Sequence, residues 1–286
     1  MAGRDCELTV IANVGDNVWM HGLYVCPDVD IAMYTLAGVA DSKRGWGVEG
    51  DTHFVLGQLK RLRQETWFKL GDRDIVTSIL RTSRMRSGLS LTAATLELCR
   101  LFGVEQRILP ITDDPLMTYV STPGGEFHFQ EFWVKERGRP AVRGVRYKGA
   151  SKAAPTAPVA RALESADRIV LCPANPVTSI GPILAVKGVR RALARSRGKK
   201  VALSPMVGSG PVSGPAGKLL RGCGLRSDSL GIAGLYRSFL DSIVIDKHDE
   251  RLRRGIERLG LECVVSDTVM HDRRDERRLA EELMAA

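Results

Sequence analysis

Short apolar runs alternate with longer amphipathic stretches along most of the chain. The short runs are rich in β-branched residues and predict strands at residues 8–13, 168–171, 200–203, 243–246 and 262–265. Apolar residues at helical spacing predict helices at residues 31–36, 52–63, 74–86, 90–102, 159–166, 189–195, 230–240, 251–259 and 275–284. Strands and helices that alternate in this way indicate an α/β fold, with a mostly parallel sheet covered by helices on both faces.

Residues 112–150 break this alternation. Residues 117–122 and 126–129 flank a Pro-Gly-Gly turn, which predicts a β-hairpin, and residues 142–147 can add a further strand. We therefore expect a single α/β domain over residues 1–286, with residues 112–150 as an antiparallel, β-rich insertion.

Composition narrows the classes of protein. The hydrophobic share of 44% is ordinary for a globular chain with a core. No run approaches the roughly 20 apolar residues that span a bilayer, and the first residues lack the apolar centre of a secretory signal. The six cysteines and five histidines are scattered, which matches neither a disulfide framework nor a zinc site. We expect a cytoplasmic protein with no membrane partner.

The net charge of +9 predicts attraction to polyanions. The basic stretches near residues 81–86, 190–200 and 251–258 are interleaved with apolar residues at helical spacing, which is typical of solvated helix faces. Because no helix-turn-helix, RNA-recognition or zinc-finger pattern is present, we expect phosphorylated small molecules rather than nucleic acid. A nucleic-acid-binding protein stays an alternative on charge alone.

Carboxylates cluster after the first predicted strand, where ligands bind in open α/β sheets. Asp16 follows that strand, while Asp28 and Asp30 begin the next helix behind Pro27. A turn can account for Asp16, and helix capping accounts for Asp28 better than for Asp30. Mg²⁺ takes hard oxygen ligands, usually one or two carboxylates plus substrate phosphates. The cluster therefore predicts a magnesium site.

A second polar cluster precedes the predicted helix 74–86. It consists of Lys69, Asp72, Arg73 and Asp74. Either Asp72 or Asp74 can be a helix N-cap, which is the structural alternative. Lys69 and Arg73 can meet a phosphate or orient a ring carbonyl.

Two loops rich in Gly, Pro, Ser and Thr follow consecutive predicted strands. Neither is a Walker A or GxGxxG sequence, but such loops can hold phosphates with hydroxyls and backbone N–H groups. The candidate residues in the loop 172–182 are Asn175, Pro176, Thr178, Ser179 and Gly181. Those in the loop 204–218 are Ser204, Gly208, Ser213 and Lys218. A flexible surface loop is the alternative for each.

Together these segments resemble the 2-phospho-L-lactate transferase family, which acts in the assembly of the deazaflavin coenzyme F-420. The similarity runs in order over nearly the whole chain. Its matching pieces are residues 13–16 with Trp19, 27–30, 46–47, 69–77, 112–115, 127–133, 175–182 and 204–218.

The resemblance implies a Rossmann-like fold and a magnesium-dependent transferase. The expected reaction moves a 2-phospholactyl or phosphoenolpyruvyl group from a guanosine diphosphate-activated donor to 7,8-didemethyl-8-hydroxy-5-deazariboflavin and releases GMP. We expect a homodimer. Because no residue looks like a dedicated nucleophile, we expect in-line attack by the acceptor alcohol, with Asp30 or Asp28 as the base.

The resemblance also implies roles for individual residues. Asp16 and Asp30 would serve the metal, and the two loops would hold the guanosine diphosphate. The deazaflavin would contact Asp30, Lys69, Asp72, Arg73, Asp74 and Phe129.

The chain departs from the family pattern at its beginning. Family members usually open with a strand and a glycine-rich loop before the strand that matches residues 8–13. We therefore expect an upstream extension that encodes such a strand and a phosphate-binding turn. The departure keeps a non-catalytic or regulatory nucleotide-binding homologue open as an alternative.

Overall fold

The structure is a computed structural model that describes residues 6–208 and 210–286, and its helices alternate with strands mainly after residue 150. The strands are β1 (Thr9–Ala12), β2 (Val18–Met20), β3 (Leu23–Val25), β4 (Arg107–Pro110), β5 (Met117–Thr122), β6 (Gly125–His128), β7 (Gly144–Lys148), β8 (Arg168–Leu171), β9 (Lys199–Leu203), β10 (Met206–Val207), β11 (Gly210–Pro211), β12 (Ser242–Asp246) and β13 (Glu262–Ser266). Residues 1–5, and Ser209 in the second predicted loop, lie outside the described residues.

Most of the predicted helices are present at nearly the predicted positions. The α-helices are α1 (Pro27–Leu36), α2 (Phe54–Arg61), α3 (Asp72–Arg86), α4 (Leu91–Leu101), α5 (Ala157–Ser165), α6 (Ile180–Ala185), α7 (Val189–Arg195), α8 (Ala216–Gly222), α9 (Ser229–Tyr236), α10 (Arg253–Glu257) and α11 (Arg273–Ala285). A π-helical turn spans Glu131–Lys135, and a 3-10 helix spans Lys247–Leu252. None of the helices in the described ranges is both long and apolar enough to cross a bilayer.

The parallel strands form two sheets. One has four strands in the order β13-β12-β9-β8, and the other pairs β1 with β4. All five residues of β12 are buried, as expected of a central strand in a parallel sheet. The predicted α/β class with parallel strands is therefore confirmed. The parallel strands nevertheless divide between two hydrogen-bonded sheets, where the sequence pattern indicates one.

Strand β4 is not predicted by the sequence pattern. Its four residues are few, and the last is Pro110, which cannot donate to a ladder and weakens the strand signal. Tertiary packing stabilises β4 although its local sequence signal is weak, because Ile108 and Leu109 are almost completely buried. The pairing of β4 with β1 is what places the end of β1 in the interior.

The segment that interrupts the alternation contains an antiparallel sheet in the order β6-β5-β7. The predicted hairpin is confirmed, and its turn contains Gly125 with a positive φ of 118°, a conformation that favours glycine. The description of the chain as one domain with an insertion at residues 112–150 stays a prediction.

One hydrophobic core joins the two parallel sheets. Its buried side chains include Ile108 and Leu109 from β4, Val29 from α1, and Ile243 and Ile245 from β12. On the other face of the four-stranded sheet, a smaller cluster packs α11 against β9 and β12. Helices thus cover both faces of that sheet. The two loops rich in Gly, Pro, Ser and Thr follow its strands β8 and β9.

Candidate active site

Asn13 joins three segments at the end of β1. Its side-chain Nδ2 donates to Asp28 Oδ2 at 2.9 Å and to the backbone oxygen of Thr178 at 3.1 Å. Its Oδ1 accepts from the backbone N–H of Gly15 at 2.7 Å. The end of β1, the first turn of α1 and the loop after β8 therefore meet at one buried amide. Asn13 is not among the predicted site residues; its signal in the sequence is an amide placed between a strand and a Gly-Asp turn.

Gly15 lets the loop after β1 pack against two other segments. Its backbone oxygen accepts from the N–H of Thr118 at 2.7 Å. A Cβ at this position would lie 2.6 Å from Thr118 Oγ1 and 2.8 Å from Pro182 Cβ, which is closer than real contacts allow. Only glycine permits this approach, and the approach fixes the backbone on which Asp16 sits.

Asp16 and Asp28 are neighbouring carboxyl groups near the end of β1. Asp16 is 3% exposed, and its Oδ1 has no hydrogen-bond partner among the described residues. Burial, followed by the charge of Asp28, holds the pKa of Asp16 well above its usual range. Burial also raises the pKa of Asp28, against the hydrogen bond from Asn13. Two such carboxyl groups would be stabilised by a nearby cation.

Asp30 lies in the same helical turn but meets a different partner. Its carboxylate accepts from both terminal nitrogens of Arg81, with 3.1 Å between Nη1 and Oδ2. Arg81 is fully buried and also donates to the backbone oxygen of Tyr24 at 3.3 Å. Burial raises the pKa of Asp30 although Arg81 acts to lower it. The predicted roles of Asp30 as base, metal ligand and deazaflavin ligand stay predictions, while its observed contact is a structural ion pair.

The arrangement fits Mg²⁺ at Asp16 better than at the predicted pair of Asp16 and Asp30. No group of three or more His, Cys, Asp or Glu residues that could hold a metal occurs within the described ranges. Mg²⁺, however, usually takes one or two carboxylates and lets waters and substrate phosphates complete its shell. The unpaired Oδ1 of Asp16 is a suitable oxygen for that purpose, whereas the charge of Asp30 is already compensated by Arg81.

Asp72 has a structural partner in the neighbouring helix. Its carboxylate accepts from the backbone N–H groups of Phe54 and Val55, both at 2.9 Å. These N–H groups belong to the first turn of α2, which has no side-chain cap of its own. Asp72 therefore caps α2 from outside, and the hydrogen bond from Thr52, followed by those from Val55 and Phe54, lowers its pKa. Its predicted contact with the deazaflavin stays a prediction.

The other members of this cluster surround the start of α3. Asp74 accepts from the backbone N–H of Gly71 at 3.1 Å, as a helix-capping residue does. Burial, and then the charges of Asp30 and Asp51, raise the pKa of Asp74. The guanidinium of Arg73 donates to the backbone oxygen of Glu49 at 3.3 Å. Lys69 and Arg73 are both exposed, so both are accessible to a ligand.

Phe129, predicted to contact the deazaflavin, is 7% exposed and packs in the main core. Aromatic surface is available instead from Trp19 on β2 and Trp46, which are 56% and 44% exposed. A Cβ on Gly47, the residue after Trp46, would lie 3.7 Å from Asp74 Oδ2. The turn that carries Trp46 therefore lies beside the Asp74 carboxyl group.

The loop after β8 is internally fixed. Asn175 Oδ1 accepts from the N–H groups of Val177 at 3.0 Å and Thr178 at 3.3 Å. The hydroxyl of Tyr147 donates to the backbone oxygen of Val177 at 2.5 Å, and Gly181 leaves the space that this ring needs. Of the predicted donor-binding residues in this loop, Pro176 and Thr178 are buried, while Asn175, Ser179 and Gly181 are partly exposed.

The loop after β9 is held near its ends and exposed in the middle. Ser204 is 2% exposed, and its Oγ lies 2.9 Å from Ser229 Oγ. Lys218 Nζ donates to the backbone oxygens of Gly138 and Arg139 at 2.6 and 2.9 Å. The ammonium group of Lys218 is therefore bound to the segment after the π-helical turn. Ser213 is exposed. The structure thus brings Asp16, Asp28 and Thr178 together through Asn13, while Ser204 and Lys218 contact other segments.

Comparisons with known proteins agree with the resemblance. A family model described as 2-phospho-L-lactate transferase CofD matches residues 2–284. The chain is 43% identical over 280 residues to a 2-phospho-L-lactate transferase of Methanosarcina mazei, covering 98% of this chain and 92% of that protein. It is 40% identical over 277 residues to a phosphoenolpyruvate transferase of Streptomyces griseus, covering 95% of this chain and 87% of that protein.

A similar fold occurs among solved structures. The crystal structure of protein BH3568 from Bacillus halodurans matches with a TM-score of 0.63 and 15% sequence identity. The match covers 96% of this chain and 91% of that chain. At this identity the likeness concerns the fold alone, and it agrees with the parallel α/β architecture described above.

Proposed function

The chain belongs to the 2-phospho-L-lactate transferase family, and we propose that it moves a 2-phospholactyl or phosphoenolpyruvyl group from a guanosine diphosphate-activated donor. The proposed acceptor is the terminal hydroxyl of the ribityl chain of 7,8-didemethyl-8-hydroxy-5-deazariboflavin, and GMP leaves. One observation carries the proposal: Asn13 links the Asp28 carboxylate to the loop that contains Thr178, beside the unpaired oxygen of Asp16. These contacts support a site in which carboxylates meet a loop that we propose to bind phosphates.

This arrangement suits transfer of a substituted phosphoryl group. Such a reaction needs positioning and charge neutralisation more than covalent chemistry with the protein. A bound Mg²⁺ would supply the charge neutralisation for the diphosphate of the donor. The loop after β8 would bind the phosphates, and its fixed backbone would limit the reorganisation that binding requires.

Asp28 is the base that the geometry supports best. Asn13 holds Oδ2 of Asp28, which leaves Oδ1 to accept the proton of the acceptor hydroxyl. A raised pKa favours this role, because a carboxylate with a higher proton affinity is a stronger base. Asp30 is the less suitable base, since both of its oxygens accept from Arg81.

Product analysis tests this proposal. The purified chain is incubated with the deazaflavin alcohol, one candidate donor and Mg²⁺, and the products are identified by mass. We expect the phosphodiester product and GMP with Mg²⁺, and neither in excess EDTA. Full turnover in EDTA would contradict the magnesium requirement. Saturable binding of GDP with no product from any donor would favour the non-catalytic, nucleotide-binding alternative.

The donor acid, the homodimer and the cytoplasmic location stay predictions, as does the expectation that nucleic acid is no partner. Relatives of this chain carry the names of both a phospholactate and a phosphoenolpyruvate transferase. Parallel reactions with the two donors therefore decide between them, and sedimentation of the purified protein checks the dimer. Binding to an arbitrary duplex that falls steeply with salt would favour the nucleic-acid alternative.

A further inference from the structure

A buried chain of side-chain hydrogen bonds runs from the 3-10 helix Lys247–Leu252 into the loop after β9. Asp249 is 0% exposed, and its Oδ2 accepts from Ser229 Oγ at 2.9 Å. Ser229 Oγ lies 2.9 Å from Ser204 Oγ, which in turn accepts from the backbone N–H of Met206 at 3.2 Å. The chain therefore starts at a buried carboxylate and ends on the backbone of β10.

The direction of each hydrogen bond in this chain follows from chemistry. A hydroxyl has one hydrogen to donate, and Ser229 gives its hydrogen to Asp249. The hydrogen between the two hydroxyls must then come from Ser204. Ser204 consequently presents only lone pairs to the N–H of Met206. The carboxylate of Asp249 thus sets the orientation of a hydroxyl that it does not touch.

The same carboxylate also faces the turn of the β10–β11 hairpin. Burial raises the pKa of Asp249, while the hydrogen bond from Ser229 and then the backbone N–H of Gly208 act to lower it. Gly208 has a positive φ of 61°, a conformation that disfavours other residues and defines the turn. Asp249 is therefore connected to the loop at Met206 through two serines, and it lies near the backbone of Gly208, although its Oδ1 has no hydrogen-bond partner among the described residues.

We propose that Asp249 is a positioning residue for the donor: without contacting the substrates, it sets the backbone at Met206–Gly208 on which the guanosine diphosphate binds. The inference rests on the proposed function, which assigns the loop after β9 to the donor. The loop needs such support because it is exposed at residues 212–214, where nothing buried defines its conformation.

A neighbouring carboxylate provides a matched control. Asp246 is also 0% exposed and lies three residues earlier in the chain. Its carboxylate accepts from Thr268 N and Oγ1, both at 3.0 Å, and from His248 N at 2.9 Å. It therefore connects the end of β12 to the segment after β13, with no described bond to the loop after β9. Loss of either acid removes a buried carboxylate, but only loss of Asp249 removes support from the loop.

The test compares Asp249→Asn with Asp246→Asn in the full chain. For Asp249→Asn we expect the KM for the donor and the Kd for GDP to rise about ten- to hundred-fold, the range for a hydrogen bond to a charged group. We expect kcat at saturating donor and the KM for the deazaflavin to change less than about threefold, as for loss of uniform binding. Asp246→Asn is expected to lower the melting temperature with donor KM unchanged.

A second variant keeps the inference testable if Asp249→Asn does not fold. Ser229→Ala removes the relay and keeps the carboxylate, and we expect a smaller rise in donor KM in the same direction. An unchanged donor KM in Ser229→Ala and Asp249→Asn would overturn the inference, as would equal rises for Asp246→Asn and Asp249→Asn. If the wild-type chain neither turns over nor binds GDP, it is the proposed function that fails.

Discussion

Asp16, which follows β1, and Asp246, which ends β12, are both almost inaccessible to solvent but are differently supplied with donors. Asp16 is 3% exposed, and one of its oxygens has no partner among the described residues. Asp246 is 0% exposed, and it accepts from His248 and from both the N–H and the hydroxyl of Thr268. The pKa of Asp16 is raised, whereas the pKa of Asp246 is lowered to about 2.

Donor supply, together with burial, therefore separates a candidate reactive carboxylate from a structural one. A buried carboxylate that accepts several hydrogen bonds is stable in its charged form, because the donors replace the lost water. One that lacks donors is stabilised only when a cation, a proton or a substrate arrives, and such groups concentrate at functional sites. Asp30 is intermediate, because a single buried guanidinium compensates it.

The largest effect is expected at Asp28. Asp28→Asn should lower kcat by about 10²–10⁴-fold, the usual contribution of a positioned base. Folding should be retained, because the change removes the repulsion between Asp16 and Asp28. Steady-state kinetics and urea denaturation measure the two quantities. Near-normal turnover in Asp28→Asn, together with a large loss in a folded Asp30→Asn protein, would assign the base to Asp30.

The second-largest effect is expected on the free energy of unfolding when the ion pair of Arg81 with Asp30 is removed. Arg81→Met should lower the free energy of unfolding by about 3–5 kcal/mol, because it leaves a buried carboxylate without its partner. Arg84→Met is the matched control on the same helix, since Arg84 pairs with Glu97 at the surface and should cost at most about 1 kcal/mol. Urea denaturation of both variants measures the difference. Equal losses would mean that the buried pair contributes no more than the exposed one.

The smallest effect is a pH dependence at Asp246. Burial alone would raise its pKa, but hydrogen bonds from His248 and Thr268 lower it from 3.8 to about 2. A depressed pKa in the folded state gives stability that is complete above pH 3.8 and is lost as the pH falls through about 2. With allowance for solvent screening, we expect a contribution of about 1–2 kcal/mol.

The control for this pH dependence is Asp246→Asn, which cannot titrate at this position. Denaturation at pH 5 and at pH 2 should show a smaller loss of stability for the variant than for the wild-type chain. Parallel losses in the two proteins would mean that the hydrogen bonds to Asp246 persist when it is protonated.

Local sequence signals predicted most of the elements and failed where the signal was short. Strands β8, β9, β12 and β13 are apolar and bounded by polar residues, and each was predicted within a residue or two. Strand β4 and the β2–β3 hairpin were missed, because four residues ending in proline, or two strands of three residues, carry too little periodicity. Their stability comes from partners that are distant in sequence.

The amino-acid sequence by itself determined the α/β class, the family and the loops in which the polar residues lie. Only the tertiary structure decided which of those residues share a site. Asp28 and Asp30 are two positions apart on α1, and at 3.6 residues per turn their side chains leave the helix in nearly opposite directions. One meets Asn13 and Asp16 at the end of β1, and the other meets Arg81, which is 51 positions away. Local spacing cannot predict such partners, because they depend on how α3 packs beside α1.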